Sequence, residues 1–141
     1  MRVTTRWYGD EYKRKLYAHL SRNMDRAAMG MVQRVKDSFG NSGVTGTRGG
    51  ATRSQRASNR SRPWGPPNVD TGHLKRNVGW SKPIGRPFIR RVGTGIGGAK
   101  SVGYAMWLEF GTRRMLPRPF LRPRIYKDRA TLRRELARPM R

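Results

Sequence analysis

Cysteine is absent from the 141-residue chain, which excludes a disulfide framework and any cysteine-ligated metal site. The absence fits a protein made in a reducing cytoplasm. Acid is scarce: 8 Asp and Glu stand against 32 Lys and Arg. Those acids are scattered, and with only 2 histidines, His19 and His73, no cluster has metal-ligand spacing. No cofactor is expected. No apolar run approaches membrane-spanning length, so no membrane partner is expected. The first ten residues carry no apolar signal core and read as no secretory address. The hydrophobic fraction is 35%, below the usual range for soluble domains, so any core is small.

What the chain has in abundance is positive charge. The formal net charge is +24, and Arg far outnumbers Lys. The planar guanidinium fork suits phosphates and carboxylates alike, so the bias favours recognition over plain solubility. Such charge repels itself, and the compact state benefits from an anionic partner, nucleic acid or the acidic face of a neighbouring protein.

The length fits one domain spanning 1–141. Over 8–39 Tyr12, Leu16, Leu20, Met24, Ala28, Met31 and Val35 recur every three or four positions, which predicts one long helix with one apolar stripe. Gly30 weakens that pattern and Gly40 suits its stop. The stretch 40–68 is rich in Gly, Ser and Thr and carries Arg48, Arg53, Arg56, Arg60 and Arg62 with no acid. It buries too little to offset its ordering entropy and reads as a mobile basic loop. Those five arginines are candidate contacts for DNA or an acidic partner.

Asp70 or Thr71 suits the cap of a short helical turn through Asn77. Strands are expected at 78–80, 87–92 and 100–103, with a turn over 93–98. A short helix is expected over 104–110, stopped by Gly111, and a last helix over 123–138. Pro123 suits that helix's first turn and Pro139 its end. The expected class is α+β: a long N-terminal helix and a C-terminal helix packed on a small antiparallel sheet.

Two motifs invite enzymatic readings. Asp70-Thr71-Gly72 matches the aspartic protease triplet, but that chemistry needs a carboxylate dyad. The residues that follow, His73-Leu74-Lys75-Arg76, are helical and basic, so a helix cap is the better reading. Gly93-Thr94-Gly95-Ile96-Gly97-Gly98 has dinucleotide-loop spacing, but no βαβ unit surrounds it, and it reads as a hairpin turn. The chain is not expected to be an enzyme. Trp107, Leu108 and Phe110 around Glu109 read most simply as core packing with Glu109 at the edge. The sharper reading pairs Glu109 with an Arg across a subunit boundary, where it sets register.

Three ordered blocks carry a resemblance. They are Pro66-Pro67-Asn68-Val69-Asp70-Thr71-Gly72-His73-Leu74, then Tyr104-Ala105-x-x-x-Glu109-x-Gly111-Thr112, then Arg118-Pro119-Phe120-Leu121-Arg122-Pro123 leading into the last helix. In order and spacing the set resembles the head–tail joining, or tail-completion, proteins of the neck of long-tailed bacteriophages. The sequence departs from that pattern at Arg124, where a small residue is usual, and in its higher charge.

The resemblance implies a non-enzymatic virion protein, made in the host cytoplasm. It implies a ring, a hexamer matching the tail's sixfold symmetry, between the head connector and the tail-tube or tail-terminator proteins. Packaged DNA passes through the channel of such a ring. The residues expected at the subunit interface are Trp107, Glu109, Phe110, Thr112, Phe120 and Leu121, with Asp70, Thr71 and Leu74 shaping the supporting turn. On this reading Glu109→Arg blocks assembly and leaves the subunit folded. The rival is a stand-alone, non-specific nucleic-acid-binding protein that uses 40–68 and the Arg-rich last helix.

Overall fold

Ala27, Ala28, Met31, Val32 and Val35 follow one another at alternating intervals of one and three, the spacing that lines one side of a helix. In the computed structural model of the chain they form the buried face of α1 (Gly9–Ser38). The structure describes residues 8–40, 64–69, 72–82 and 85–140. Asp10 and Glu11 in the first turn and Lys36 in the last complement the helix dipole. The helix runs through Gly30 without a break. It ends when Phe39 turns extended and enters the core. Gly40 therefore stops nothing. It lies against Asn68 in an isolated parallel bridge, its carbonyl accepting from the Val69 amide at 3.1 Å. A Cβ there would strike the Asn68 side chain. The two ends that flank 41–63 are thus held together, and the basic loop itself lies outside the described residues.

α2 (His73–Arg76) is one turn that drops Leu74 into the core. It is entered through Gly72 at φ +72°, a left-handed conformation that suits glycine. Asp70 and Thr71, the expected caps, lie outside the described residues. β1 (Val78–Ser81) and β2 (Arg91–Thr94) form a two-stranded antiparallel sheet with Val78 opposite Thr94 and Trp80 opposite Val92.

The strand expected over 87–92 is shorter and later. The Arg90 guanidinium takes up the Pro87 and Ile89 carbonyls, which leaves that segment without a ladder partner. Arg90 also reaches Asp25 and Ser21 on α1, pinning the hairpin to the helix. The strand expected over 100–103 does not form. The Lys100 amide donates to Asn77 Oδ1 at 2.8 Å, and Val102 enters the core. The glycine-rich stretch begins inside β2 and then turns back over the hairpin, so close that a Cβ on Gly97 would run into the Trp80 carbonyl.

α3 (Ala105–Phe110) ends as expected at Gly111, which adopts φ +79°. The expected last helix is two: α4 (Arg122–Lys127), with Pro123 in its first turn, and α5 (Arg129–Leu136). They meet at Asp128, whose buried carboxylate accepts from Arg34 Nε at 3.1 Å and lies 2.8 Å from Arg124 Nε. Arg34 also grips Glu135 with two nitrogens, at 3.0 and 3.3 Å. The Glu135 hydrogen bond first, then the acidic charges, hold the Arg34 guanidinium above its already high ordinary value. A basic group raised in this way contributes stability that is fully present below its ordinary value and is lost only as pH climbs beyond it.

Neither α4 nor α5 has a buried residue. Leu121, Ile125, Leu132 and Leu136 recur at helical spacing, but Ile125 and Leu136 are exposed, while Leu121 and Leu132 pack against the core. Polar contacts hold the end of the chain on α1. His19 Nε2 lies 2.7 Å from the Arg138 carbonyl and 3.1 Å from Asn23 Nδ2. Buried Asn23 donates to the Leu136 and Arg138 carbonyls at 3.3 and 3.0 Å.

The core is one cluster of Met31, Val32, Val35, Phe39, Leu74, Val78, Val102, Ala105 and Phe120. The Phe39 and Phe120 rings lie 5.5 Å apart. The long helix, short C-terminal helices and small antiparallel sheet make the class α+β. Among the described residues no helix is long and apolar enough to cross a membrane, and no group of His, Asp or Glu has the geometry to hold a metal ion.

Candidate assembly site

The six residues of α3 divide by helical spacing. Ala105, Leu108 and Glu109, at i, i+3 and i+4, face inward. Met106, Trp107 and Phe110 share the other side and are 63%, 54% and 61% exposed. Reading Trp107 and Phe110 as core packing is therefore corrected. A helix this short buries one side only, and the inward side goes to the smaller residues. Leu116 is exposed just beyond. Exposed Trp64 is tethered beside it by its amide, which donates to the Pro117 carbonyl at 2.8 Å. Large apolar groups gathered in this way on a chain with so small a core mark a surface built to be covered.

Glu109 holds this surface in shape. It is 6% exposed, and its carboxylate accepts from the Phe120, Leu121 and Arg122 amides at 2.9, 3.0 and 2.9 Å. Those amides lie at the start of α4, which has no side-chain cap of its own. A carboxylate from another helix thus satisfies donors that a helix N-terminus leaves open, and its charge suits the dipole there. Arg122 completes the arrangement. Its Nε lies 3.4 Å from the Glu109 carboxylate, and its guanidinium sits 4.5 Å from the Phe110 ring centre.

This geometry corrects the expectation for Glu109. It does pair with an Arg, but within its own chain and as a buried clamp. Glu109→Arg would set a cation against three backbone N–H groups and break the fold, so it cannot report on assembly alone. Phe120 is corrected as well: at 5% exposed it belongs to the subunit's own core. Leu121 is half-buried against that core, and Leu74 lies within it.

Thr112 is exposed, bridged to Met115 through the backbone, and its hydroxyl accepts from the Arg114 amide at 3.3 Å. Of the expected interface set, Trp107, Phe110 and Thr112 are on the surface. Met106 and Leu116 join them, and sequence reasoning misses both. The signal for Met106 is its spacing of four from Phe110. Asp70, Thr71, Arg48, Arg53, Arg56, Arg60 and Arg62 lie outside the described residues. Compared with known protein families, curated proteins and solved structures, the chain matches none of them.

Proposed function

We propose that this chain is a structural subunit of the neck of a long-tailed bacteriophage. It is a tail-completion or head–tail joining protein that forms a ring between the head connector and the tail tube. The observation that carries the reading is the outward side of α3, where Met106, Trp107 and Phe110 stand exposed on a helix clamped from behind by Glu109. A rigid apolar surface of this kind is what a neighbouring subunit covers, and head-to-tail contacts close into a ring when the rotation permits. The resemblance of the three sequence blocks supplies the identity of that ring. Copies carrying +24 each repel one another, so the ring needs an anion, and packaged DNA or an acidic neighbour supplies it.

The test is the mass of the purified chain by light scattering, at low and high salt, with and without duplex DNA, beside the double variant Trp107→Ser/Phe110→Ser. A closed oligomer that the double variant loses, with its circular dichroism unchanged, supports the ring. The charge favours one other reading, a stand-alone nucleic-acid-binding protein. A chain that stays monomeric throughout and binds duplex tightly only at low salt would establish that rival.

A further inference from the structure

α1 and the end of the chain enclose a groove of about 490 Å³ lined by His19, Arg22, Arg26, Arg138 and Pro139. His19, Arg22 and Arg26 follow at i, i+3 and i+7, which puts them on one side of α1. Arg138 is brought over that side because its carbonyl is held by His19 and Asn23. The three arginines differ from the others that face α1. Arg34 is gripped by Asp128 and Glu135, and Arg90 by Asp25. Arg22, Arg26 and Arg138 are exposed and have no carboxylate partner among the described residues.

Arg22 and Arg26, four apart on one helix, repel each other, an arrangement unfavourable by itself. They stand about 6 Å apart along the helix axis, so one extended anionic strand lying in the groove meets both.

We infer that this groove binds the phosphodiester backbone of duplex DNA through Arg22, Arg26 and Arg138, with no base readout. Its lining separates a phosphate strand from an acidic protein. Protein contacts that hold affinity centre on buried apolar anchors, and among the described residues the only apolar one lining the groove is Pro139. The exposed aromatic face of α3 lies elsewhere and shares no residue with the groove. Guanidinium groups that meet phosphates position a duplex and add affinity that falls with salt, without reading sequence. The inference rests on the groove's own charge and holds whether or not the chain forms a ring.

The experiment measures binding of the full chain to a short labelled duplex by fluorescence anisotropy over a salt series. The triple variant Arg22→Gln/Arg26→Gln/Arg138→Gln is set beside a control, Arg86→Gln/Arg91→Gln/Arg113→Gln. Both remove the same charge from exposed positions. The groove variant is expected to lose about tenfold more affinity than the control, and its log–log salt slope to fall by about 2 to 3. Equal losses in the two variants overturn the site, because they report net charge alone.

A footprint on the unaltered chain needs no variant to fold. Duplex DNA should shield Arg22, Arg26 and Arg138 from a guanidinium-modifying reagent while Arg86, Arg91 and Arg113 stay reactive. The reverse pattern overturns the inference. Polyglutamate held as tightly as duplex, and lost in the same triple variant, overturns the phosphodiester assignment. Light scattering on the same samples reads the ring separately, so a monomer with a working groove and a ring with a silent one are told apart.

Discussion

The two halves of α1 carry the same signal and meet different fates. Tyr12, Leu16 and Leu20 in the first half keep the same three-and-four spacing as Ala28, Met31 and Val35 in the second. Between Gly9 and Arg22 no residue is buried, whereas Asn23, Ala27, Ala28, Met31, Val32 and Val35 all are. The difference lies in what covers them. The second half sits under β1, Phe120 and α5; the first meets the edge of Phe88 at Tyr17, ring centres 5.4 Å apart, and polar contacts at His19 and Ser21. It is steadied by local pairs, Lys15 with Glu11 at 2.7 Å and Lys13 with Asp10 at 3.7 Å. Pairs so exposed add little to stability. Periodicity shows which side of a helix can be buried. Only the rest of the chain, or another chain, decides whether it is.

The comparison breaks most sharply at Val35, which is completely buried. Val35→Asp places an unpaired carboxylate in the centre of the core, at a cost above about 4 kcal/mol. For a small domain that is most of its stability. Far-ultraviolet circular dichroism at room temperature should show a largely unfolded chain. A cooperative melt at the wild-type temperature would mean that the covered half of α1 contributes no more than the bare one.

The Glu109 clamp comes next, because it joins α3 to the Phe120 segment that covers the second half. Glu109→Ala leaves three amides without their acceptor, one of them on buried Phe120. Each orphaned donor costs about 1–3 kcal/mol when water cannot reach it, so the loss should be about 3 kcal/mol or more. Glu109→Gln keeps one side-chain oxygen and should fall between wild type and Glu109→Ala in urea midpoint. An unchanged midpoint for Glu109→Ala would show that water replaces the carboxylate without penalty.

Much of this fold is legible in the amino-acid sequence. The expected helix over 8–39 is α1 to within a residue at each end, Gly111 stops α3, and Pro123 opens the last helical segment. These features depend on local chemistry, namely spacing, a left-handed stop and a fixed φ. What the sequence hides is non-local. A lone acid in an apolar run reads equally as an edge residue or as a partner for any of many arginines. The clue to Glu109 lies eleven to thirteen residues on, where α4 starts with Leu121, and no Ser, Thr or Asp, at its capping position. The expected strand at 87–92 survives only at Arg91 and Val92, and that at 100–103 does not form, for a similar reason. Arg90 and Asn77 claim the backbone groups that a ladder needs. The groove arginines of α1 are visible as one face of a helix, but Arg138 joins them only because the chain returns to His19 and Asn23.

The smallest effect belongs to the uncovered half. Tyr12 is 58% exposed and its side chain lies outside the core cluster. Tyr and Ser have similar helix propensities, so Tyr12→Ser should shift the stability of the isolated subunit by no more than about 0.5 kcal/mol. A larger shift would show that the first half of α1 is already covered within the subunit, and the contrast between the halves would collapse. The same variant sharpens the contrast when it is carried into the ring proposed above. If a neighbouring subunit covers this half, Tyr12→Ser leaves the monomer's melting temperature alone and weakens the oligomer. The stripe over Tyr12, Leu16 and Leu20 then has the same physical cause as the stripe over Met31 and Val35, with its cover supplied by a second chain.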